Sequence, residues 1–184
     1  LYTVYNPDGT VDPFLSCRGI LMTKESAGNT EILFANPNPG DYGAIDRWSI
    51  PRSVPGAGSY GVTQSLVDAF FMENGLSPIL GYENNDYSKP IINPASGYTE
   101  TGFSTEPEVR NTGWQECQGN VNPGQVTMAG AYNMYCHREA RFYIAVLYNR
   151  AWFSKTAEGG RQTMFLKGEQ DGGCLLYTSP SPRD

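Results

Sequence analysis

The chain has 184 residues, 39% apolar side chains and a formal net charge of −6. Its 21 glycines and 13 prolines are about 18% of the residues, against about 12% in an average protein, which excludes a helical bundle or coiled coil. No basic cluster is present, which argues against binding nucleic acid or an anionic membrane surface. The longest apolar run has seven residues, whereas a helix needs about 20 to span a bilayer.

The N-terminal part is predicted to alternate short elements with loops. Thr30–Ala35 has the apolar, short character of a strand and ends at an Asn-Pro-Asn-Pro-Gly turn. Asp41–Tyr60 is rich in Pro, Gly and Ser, which predicts a loop. Thr63 then offers an N-cap for a helix, whose apolar face contains Leu66, Val67 and Phe70.

The C-terminal part begins with a long polar stretch, Ser77–Gln125, which contains no clear element. Ala131–Glu139 is predicted to be a short helix. Phe142–Tyr148 is rich in β-branched and aromatic residues, which predicts a buried strand. Arg161–Lys167 is its predicted hairpin partner.

The last eleven residues, Cys174–Asp184, read CLLYTSPSPRD, which is the translation of a common transposase sequencing adaptor. We therefore expect residues 174–184 not to be native and residues 1–173 to be one partial domain. Three widely spaced cysteines remain, which provide neither a disulfide framework nor a CxxC metal site. They are expected to be small buried side chains, with one disulfide still possible.

Several motifs that are typical of binding or catalytic sites occur here without the surrounding residues that such sites require. Gly56–Gly61 matches G-x-G-x-x-G, but no buried strand precedes it, as a dinucleotide site requires. His137 is the only histidine, so a metal site or a catalytic triad would depend on it alone. Glu83–Asp86 is rich in side-chain oxygen atoms but lacks the ligand spacing of a calcium-binding loop. Glu106 and Glu108 are interpreted as solvated charges in a turn. No catalytic residue, metal site or cofactor is predicted.

Aromatic residues make up 12% of the chain, and several tryptophans and tyrosines lie in polar loops. An exposed ring flanked by polar side chains suits a sugar, because the apolar sugar face stacks while its hydroxyls find polar partners. The candidate sugar-binding residues are Trp114, then Trp48, then Tyr98. Trp114→Ala is expected to weaken binding about tenfold with little change in melting temperature. Trp152 is expected in the core. Trp152→Ala is therefore expected to lower the melting temperature and to leave sugar binding nearly unchanged.

Three segments resemble a known family. They are Lys24–Ala35, Thr63–Met72 with Asn-Gly at 74–75, and Arg138–Asn149 followed by a tryptophan. In this order they are similar to the middle of SusD/RagB-family proteins, the glycan-capturing outer-membrane lipoproteins of Bacteroidetes. Val62 and Ala140 stand where the family usually has proline.

The resemblance covers about residues 15–173 and implies a full protein that is mainly α, built on TPR-like helix pairs with a loop-rich region. This fragment would then be loop-rich α+β, with a few short helices and a hairpin. The resemblance also implies that the protein has no catalytic activity. It would capture oligosaccharides at the outer-membrane surface through an N-terminal lipid anchor and deliver them to a SusC-like TonB-dependent transporter. A fragment of a carbohydrate-active enzyme and a peptide-binding relative remain the alternatives.

Overall fold

A computed structural model describes residues 2–33, 42–49, 56, 60–114, 124–155 and 159–162. In this part of the chain, four short α-helices and four two-stranded antiparallel sheets are joined by long loops. The helices are α1 (Pro13–Met22), α2 (Tyr42–Ser49), α3 (Gln64–Ala69) and α4 (Ala140–Ala145). Single turns of 3₁₀ helix lie at Glu25–Ala27, Glu83–Asn85, Pro94–Ser96 and Asn133–Tyr135.

Each sheet pairs two strands that follow one another in the chain. The pairs are β1 (Val4–Tyr5) with β2 (Val11–Asp12), β3 (Ile79–Tyr82) with β4 (Pro90–Ile92), β5 (Glu108–Val109) with β6 (Gln125–Thr127), and β7 (Trp152–Lys155) with β8 (Gly159–Gln162). Glycine is required at Gly124, before β6, because its φ is +79° and a Cβ there would collide with the carbonyl oxygen of Arg110. No helix in the described part of the chain is long and apolar enough to cross a membrane.

A fully buried carboxylate caps the N-terminus of helix α1. Asp12 is the N-cap residue, and its side chain accepts hydrogen bonds from the backbone N–H groups of Phe14 and Leu15, each at 3.0 Å. The same carboxylate accepts from the Thr112 hydroxyl and the Gly113 N–H. One side chain therefore caps a helix and holds a loop that lies about 100 residues away in the chain.

Helix α3 begins as the sequence predicts. The Thr63 hydroxyl accepts a hydrogen bond from the Leu66 N–H at 3.4 Å, which confirms the N-cap. The buried face of the helix contains Val67, whereas the Leu66 side chain is exposed. Phe70 caps the C-terminus and packs on the core.

The buried apolar residues form two clusters. The larger one joins α1, α3, α4 and β6 and contains Phe14, Val67, Trp114, Val126, Ala131, Cys136, Phe142, Tyr143, Val146, Tyr148 and Ala151. The smaller one contains Met72, Ile79, Tyr98 and Met134. The fold therefore has a main aromatic core and a second, smaller core beneath the β3–β4 hairpin.

The predicted mainly-α fold with TPR-like helix pairs is wrong. In the described residues the longest helix has 10 residues, and the chain forms a small, loop-rich α+β structure. Helices α1 and α4 pack together, but strands and loops separate them in the chain, whereas a TPR pair is two helices joined by a turn. The high content of glycine and proline limits helix length, because both residues are unfavourable in helix interiors.

The predicted strand at Phe142–Tyr148 is also wrong, because its first part lies in α4. Phe142 and Tyr143 are the buried residues of this helix, and the Tyr143 ring stacks on Phe14 of α1 with centroids 6.0 Å apart. Packing of this helix against α1 outweighs the strand preference of its β-branched and aromatic residues. The hairpin that does form pairs β7 with β8, so the predicted pairing of Arg161–Lys167 with Phe142–Tyr148 is wrong. Residues 163–167 lie outside the described part.

Three further predictions differ from the structure. Residues 30–33 form a turn and a bend rather than a strand, and the remaining two residues of that predicted strand lie outside the described residues. The predicted loop Asp41–Tyr60 contains α2. Ala131–Glu139 forms only one turn of 3₁₀ helix, at Asn133–Tyr135.

Candidate functional site

The segment that follows α3 pairs with the segment that precedes α4. The Glu73 N–H donates to the His137 carbonyl at 2.8 Å, and the Glu139 N–H donates to the Phe71 carbonyl at 2.9 Å. The Glu139 carboxylate in turn accepts from the Phe71 N–H at 3.0 Å. Two of the three segments that carry the family resemblance therefore bind one another directly.

Arg138 lies at the centre of this pairing and is fully buried. Its guanidinium donates to the Val67 carbonyl through Nη2 and to the Met72 sulfur through Nη1, the latter at 3.5 Å. The guanidinium carbon lies 5.5 Å from the ring centre of Tyr98 and 5.3 Å from that of Phe142. These rings belong to different clusters, so Arg138 joins the smaller core to the main one through two cation–π contacts.

Burial lowers the pKa of Arg138 from its ordinary value, and the nearby Tyr98 and Asp68 act in the opposite direction. The buried Asp68 carboxylate is itself held by hydrogen bonds from the Gln64 amide and the Tyr82 hydroxyl, each at 2.7 Å. Arg138 is thus placed where a buried charge has compensating neighbours, which is the condition for burying a charge at all.

A second arginine joins two carboxylates beside this pairing. The guanidinium of Arg110 contacts Glu73 and Glu108 at once, through the same Nη2. The other oxygen of the buried Glu108 carboxylate accepts from the Tyr143 hydroxyl at 2.9 Å and from the His137 N–H at 2.8 Å. Both oxygens of Glu108 are therefore occupied, and one guanidinium contacts two carboxylates.

The groups behind Glu108 keep their protons at ordinary pH. Burial raises the pKa of Tyr143 well above its usual value, and the Glu108 charge raises it further. Burial, followed by the same charge, raises the pKa of the Cys136 thiol to about 11. Tyr143 therefore stays a hydrogen-bond donor to Glu108, and Cys136 stays a neutral, apolar thiol. Cys17 and Cys136 are both free, and the other two cysteines lie outside the described residues.

A cleft of about 380 Å³ opens beside Glu108 and His137, a volume within the usual range of small-molecule sites. The residues that line it are Met72, Gly97, Thr99, Phe103, Ser104, Thr105, Glu106, Pro107, Glu108, Thr127, Asn133, Cys136 and His137. Phe103 is 57% exposed, and its ring meets Tyr132 edge to face, with centroids 4.7 Å apart. The cleft therefore combines one exposed aromatic ring with several hydroxyl, amide and carboxylate groups.

Glu73, Glu108 and His137 place one possible ligand atom each within 4.8 Å of one another. Two carboxylates and an imidazole suit a transition metal, but Arg110 already contacts both carboxylates. A metal ion would have to displace the guanidinium and the hydrogen bonds to Glu108. We therefore interpret these groups as an ion-pair network that shapes one wall of the cleft.

The oxygen-rich segment Glu83–Asp86 is also engaged internally. One Asp86 oxygen accepts from the Ser88 backbone N–H and hydroxyl, and the other lies 3.5 Å from the Lys89 ammonium. These hydrogen bonds lower the pKa of Asp86, which is the behaviour of a turn-capping carboxylate.

Trp114, the first candidate for sugar stacking, lies in the main core. It is only 7% exposed, and its ring stacks on Phe14 with centroids 5.8 Å apart and planes at 18°. The exposure assigned to it from the sequence is therefore wrong. The cause is Asp12, because its bonds to Thr112 and Gly113 draw this polar loop over α1 and turn the indole inward.

Tyr98 is 6% exposed and lies against Arg138, so its predicted exposure is wrong as well. Trp48 is 42% exposed on α2, and a sugar contact there stays a prediction. The residues that line the cleft include none of these three. The side chain of Trp152 lies outside the described part, so its predicted core position stays a prediction.

The sequence interpretation missed Phe103. It lies in Thr-Gly-Phe-Ser-Thr, an aromatic residue in a polar loop, which is the signal that was applied to tryptophan and tyrosine only. Extending the same criterion to phenylalanine would have found it. The sequence shows Glu106 and Glu108 as a pair, but their different surroundings depend on contacts that are distant in the chain.

No family model, no curated protein and no solved structure matches this chain. The resemblance to the SusD/RagB family therefore depends on its three sequence segments alone. In the structure the second and third segments contact each other through Arg138 and Glu139.

Proposed function

We propose that this protein binds oligosaccharide in the cleft beside Phe103 and does not hydrolyse it. The observation that carries the proposal is the exposed Phe103 ring in a cleft of about 380 Å³. A pyranose has an apolar face that stacks on such a ring, and the ring contributes a large contact area at a low entropy cost.

The rim of the cleft supports a sugar as the ligand. Thr99, Thr105 and Glu106 are exposed there, and the Asn133 and Ser104 side chains lie deeper. A protein hydroxyl can donate a hydrogen bond to a sugar hydroxyl or accept one from it, and a carboxylate can accept one. A stacking ring surrounded by such groups is the arrangement that a neutral carbohydrate needs.

The Arg110 contacts favour binding over turnover. Glycoside hydrolysis uses two carboxyl groups, one of which must donate a proton to the leaving oxygen. Glu73 and Glu108 converge beside the cleft, but the same guanidinium contacts both, and the second oxygen of Glu108 accepts hydrogen bonds from His137 and Tyr143, so both carboxylates are already engaged. A carbohydrate-active enzyme, the first alternative, would need a second pair of carboxyl groups.

The cellular setting of the proposal comes from the sequence resemblance alone. In that setting the protein is a surface lipoprotein of the outer membrane that passes its ligand to a SusC-like TonB-dependent transporter. Protease treatment of intact cells tests the placement, because a surface protein is cleaved and a protein inside the cell is protected. Co-purification of a large β-barrel protein tests the partner.

Isothermal titration with a panel of neutral oligosaccharides tests binding, with chromatography of the recovered sugars to detect turnover. We expect Phe103→Ala to weaken binding about tenfold, since a central aromatic anchor often contributes this much or more. Tyr87→Ala is the matched control, because Tyr87 is also exposed and also contacts one tyrosine ring at 4.7 Å, but it does not line the cleft.

Unchanged affinity in Phe103→Ala would overturn the site, and shortened oligosaccharides in the recovered sample would favour the enzyme alternative. Binding of peptides but of no sugar would favour the peptide-binding alternative.

A further inference from the structure

The charges around the cleft have one sign. Among the described residues that line it, the carboxylates are Glu106 and Glu108, the other titratable side chains are Cys136 and His137, and neither lysine nor arginine is present. The nearest cation in the network, Arg110, lies behind Glu108 and contacts Glu108 and Glu73. The cleft therefore presents an acidic surface to a ligand.

The two cleft carboxylates differ in their availability. Glu108 is buried, and both of its oxygens accept hydrogen bonds from Arg110, His137 and Tyr143. Glu106 is exposed, and within the described part of the chain its carboxylate has no hydrogen-bond or ion-pair partner. It lies three residues after Phe103, and both side chains line the same cleft. Glu106 is thus the carboxylate that a ligand meets.

An exposed aromatic ring and an unneutralised carboxylate on one cleft form the pair of groups that binds an ammonium ion. The ring face attracts a cation through its quadrupole, and the carboxylate attracts it by charge. We infer that the cleft selects oligosaccharides that carry a protonated amine, namely amino sugars, through Phe103 and Glu106. This inference rests on the proposed sugar-binding function and adds the ligand class.

The same groups disfavour acidic glycans. A uronate or sulfate in the cleft would lie near the Glu106 carboxylate, and the described lining residues include no lysine or arginine to pair with it. The net charge of −6 repels anionic chains over a longer range at low ionic strength. A lysine side chain offers the same ammonium group, but the cleft hydroxyls of Thr99, Ser104 and Thr105 favour a sugar, whose hydroxyls they can bind.

Titration calorimetry of the full chain tests this with four probes at low ionic strength and at a pH where the amine is protonated. The probes are a β-1,4-glucosamine hexamer, the fully N-acetylated hexamer, an oligogalacturonate and a lysine-containing peptide. We expect the glucosamine hexamer to bind about fivefold more tightly than its N-acetylated form, the effect of one exposed charge pair, and the galacturonate to bind most weakly. Added salt should reduce this preference.

Two variants assign the preference to the named groups. Glu106→Gln keeps the shape of the side chain and is expected to abolish the fivefold difference. Glu25→Gln removes the same charge from an exposed position outside the cleft and is expected to leave the difference unchanged. Phe103→Leu keeps an apolar side chain without a ring and should weaken both hexamers.

Equal affinity for both hexamers in the parent protein would overturn the amino-sugar inference and leave the proposed function intact. A preference that persists in Glu106→Gln would also overturn it. If the lysine peptide binds and neither hexamer does, both the inference and the proposed function fail.

Discussion

Trp114 and Phe103 follow the same local sequence, Thr-Gly before the aromatic residue, but they have opposite surroundings. Trp114 is 7% exposed in the main core, and Phe103 is 57% exposed at the cleft. Both rings follow a glycine in a polar stretch of sequence. What differs is the partner that holds each loop.

The Trp114 loop is bound by the buried Asp12 carboxylate, and the Phe103 loop is bound by the half-buried Asn133. Asp12 accepts from Thr112 and Gly113, which turns Trp114 towards α1. In the other loop the Thr101 carbonyl accepts from the Asn133 side chain at 2.9 Å, and Gly102 accepts from the Asn133 N–H at 3.0 Å. A residue distant in the chain thus decides whether an aromatic ring becomes core or surface.

The largest expected effect is that of Trp114→Ala. Truncation of a buried tryptophan leaves a cavity and removes the stacking on Phe14, so we expect the free energy of unfolding to fall by about 3–5 kcal/mol. Chemical denaturation monitored by circular dichroism measures the loss. Trp48→Ala is the control, and a loss of less than about 1 kcal/mol is expected there because the ring is 42% exposed. Equal losses in the two variants would contradict the burial of Trp114.

Alkaline pH should destabilise the folded protein through ionisable groups in the core that contains Trp114. Burial raises the pKa of Cys136 from 9.0 to about 11, so the folded protein keeps a proton that the unfolded chain releases. The free energy of unfolding therefore keeps its full value below pH 9 and falls as pH rises towards 11. The contribution of this thiol to the loss is up to about 3 kcal/mol. The raised pKa values of Tyr143 and Tyr148 act in the same direction at higher pH.

Thermal melts at a series of pH values measure this dependence, with Cys136→Ser as the comparison. The serine hydroxyl does not ionise in this range, so the variant should lose less stability than the parent between pH 9 and 11. Parallel curves for the two proteins would show that the thiol is not the group responsible.

Asp12→Ala tests directly what separates the two aromatic loops. The substitution leaves the N–H groups of α1 and the Thr112 and Gly113 donors without their acceptor, and we expect a loss of about 2–3 kcal/mol. Acrylamide quenching of tryptophan fluorescence should increase as Trp114 becomes exposed. Asp86→Ala removes a surface turn carboxylate that contacts Ser88 and Lys89, away from the Trp114 loop, and should change neither property. Quenching that stays at the parent level would show that Asp12 does not hold the indole inward.

The smallest expected effect on stability is that of Phe103→Ala. The ring is mostly exposed and contacts only Tyr132 among the described aromatic rings, so the melting temperature should stay within about 2 °C of the parent. The same variant is expected to lose sugar affinity. A large drop in melting temperature would mean that Phe103 is a structural residue.

Local signals in the sequence determined the features that depend on a few neighbouring residues. Thr63 caps α3 because its hydroxyl needs only the N–H three residues later. Asp12-Pro13 carries the same kind of signal at α1, an N-cap followed by proline at the first helical position, and could have been predicted in the same way.

Only the tertiary structure decided the rest. Phe142 and its neighbours have strand-forming side chains, but packing against α1 makes them a helix. The burial of Trp114, the exposure of Phe103 and the joining of Glu73 to Glu108 by Arg110 all depend on residues that are far apart in the chain. These contacts involve buried hydrogen bonds and charges, which are stable only when both partners are present, so a single stretch of sequence cannot indicate them.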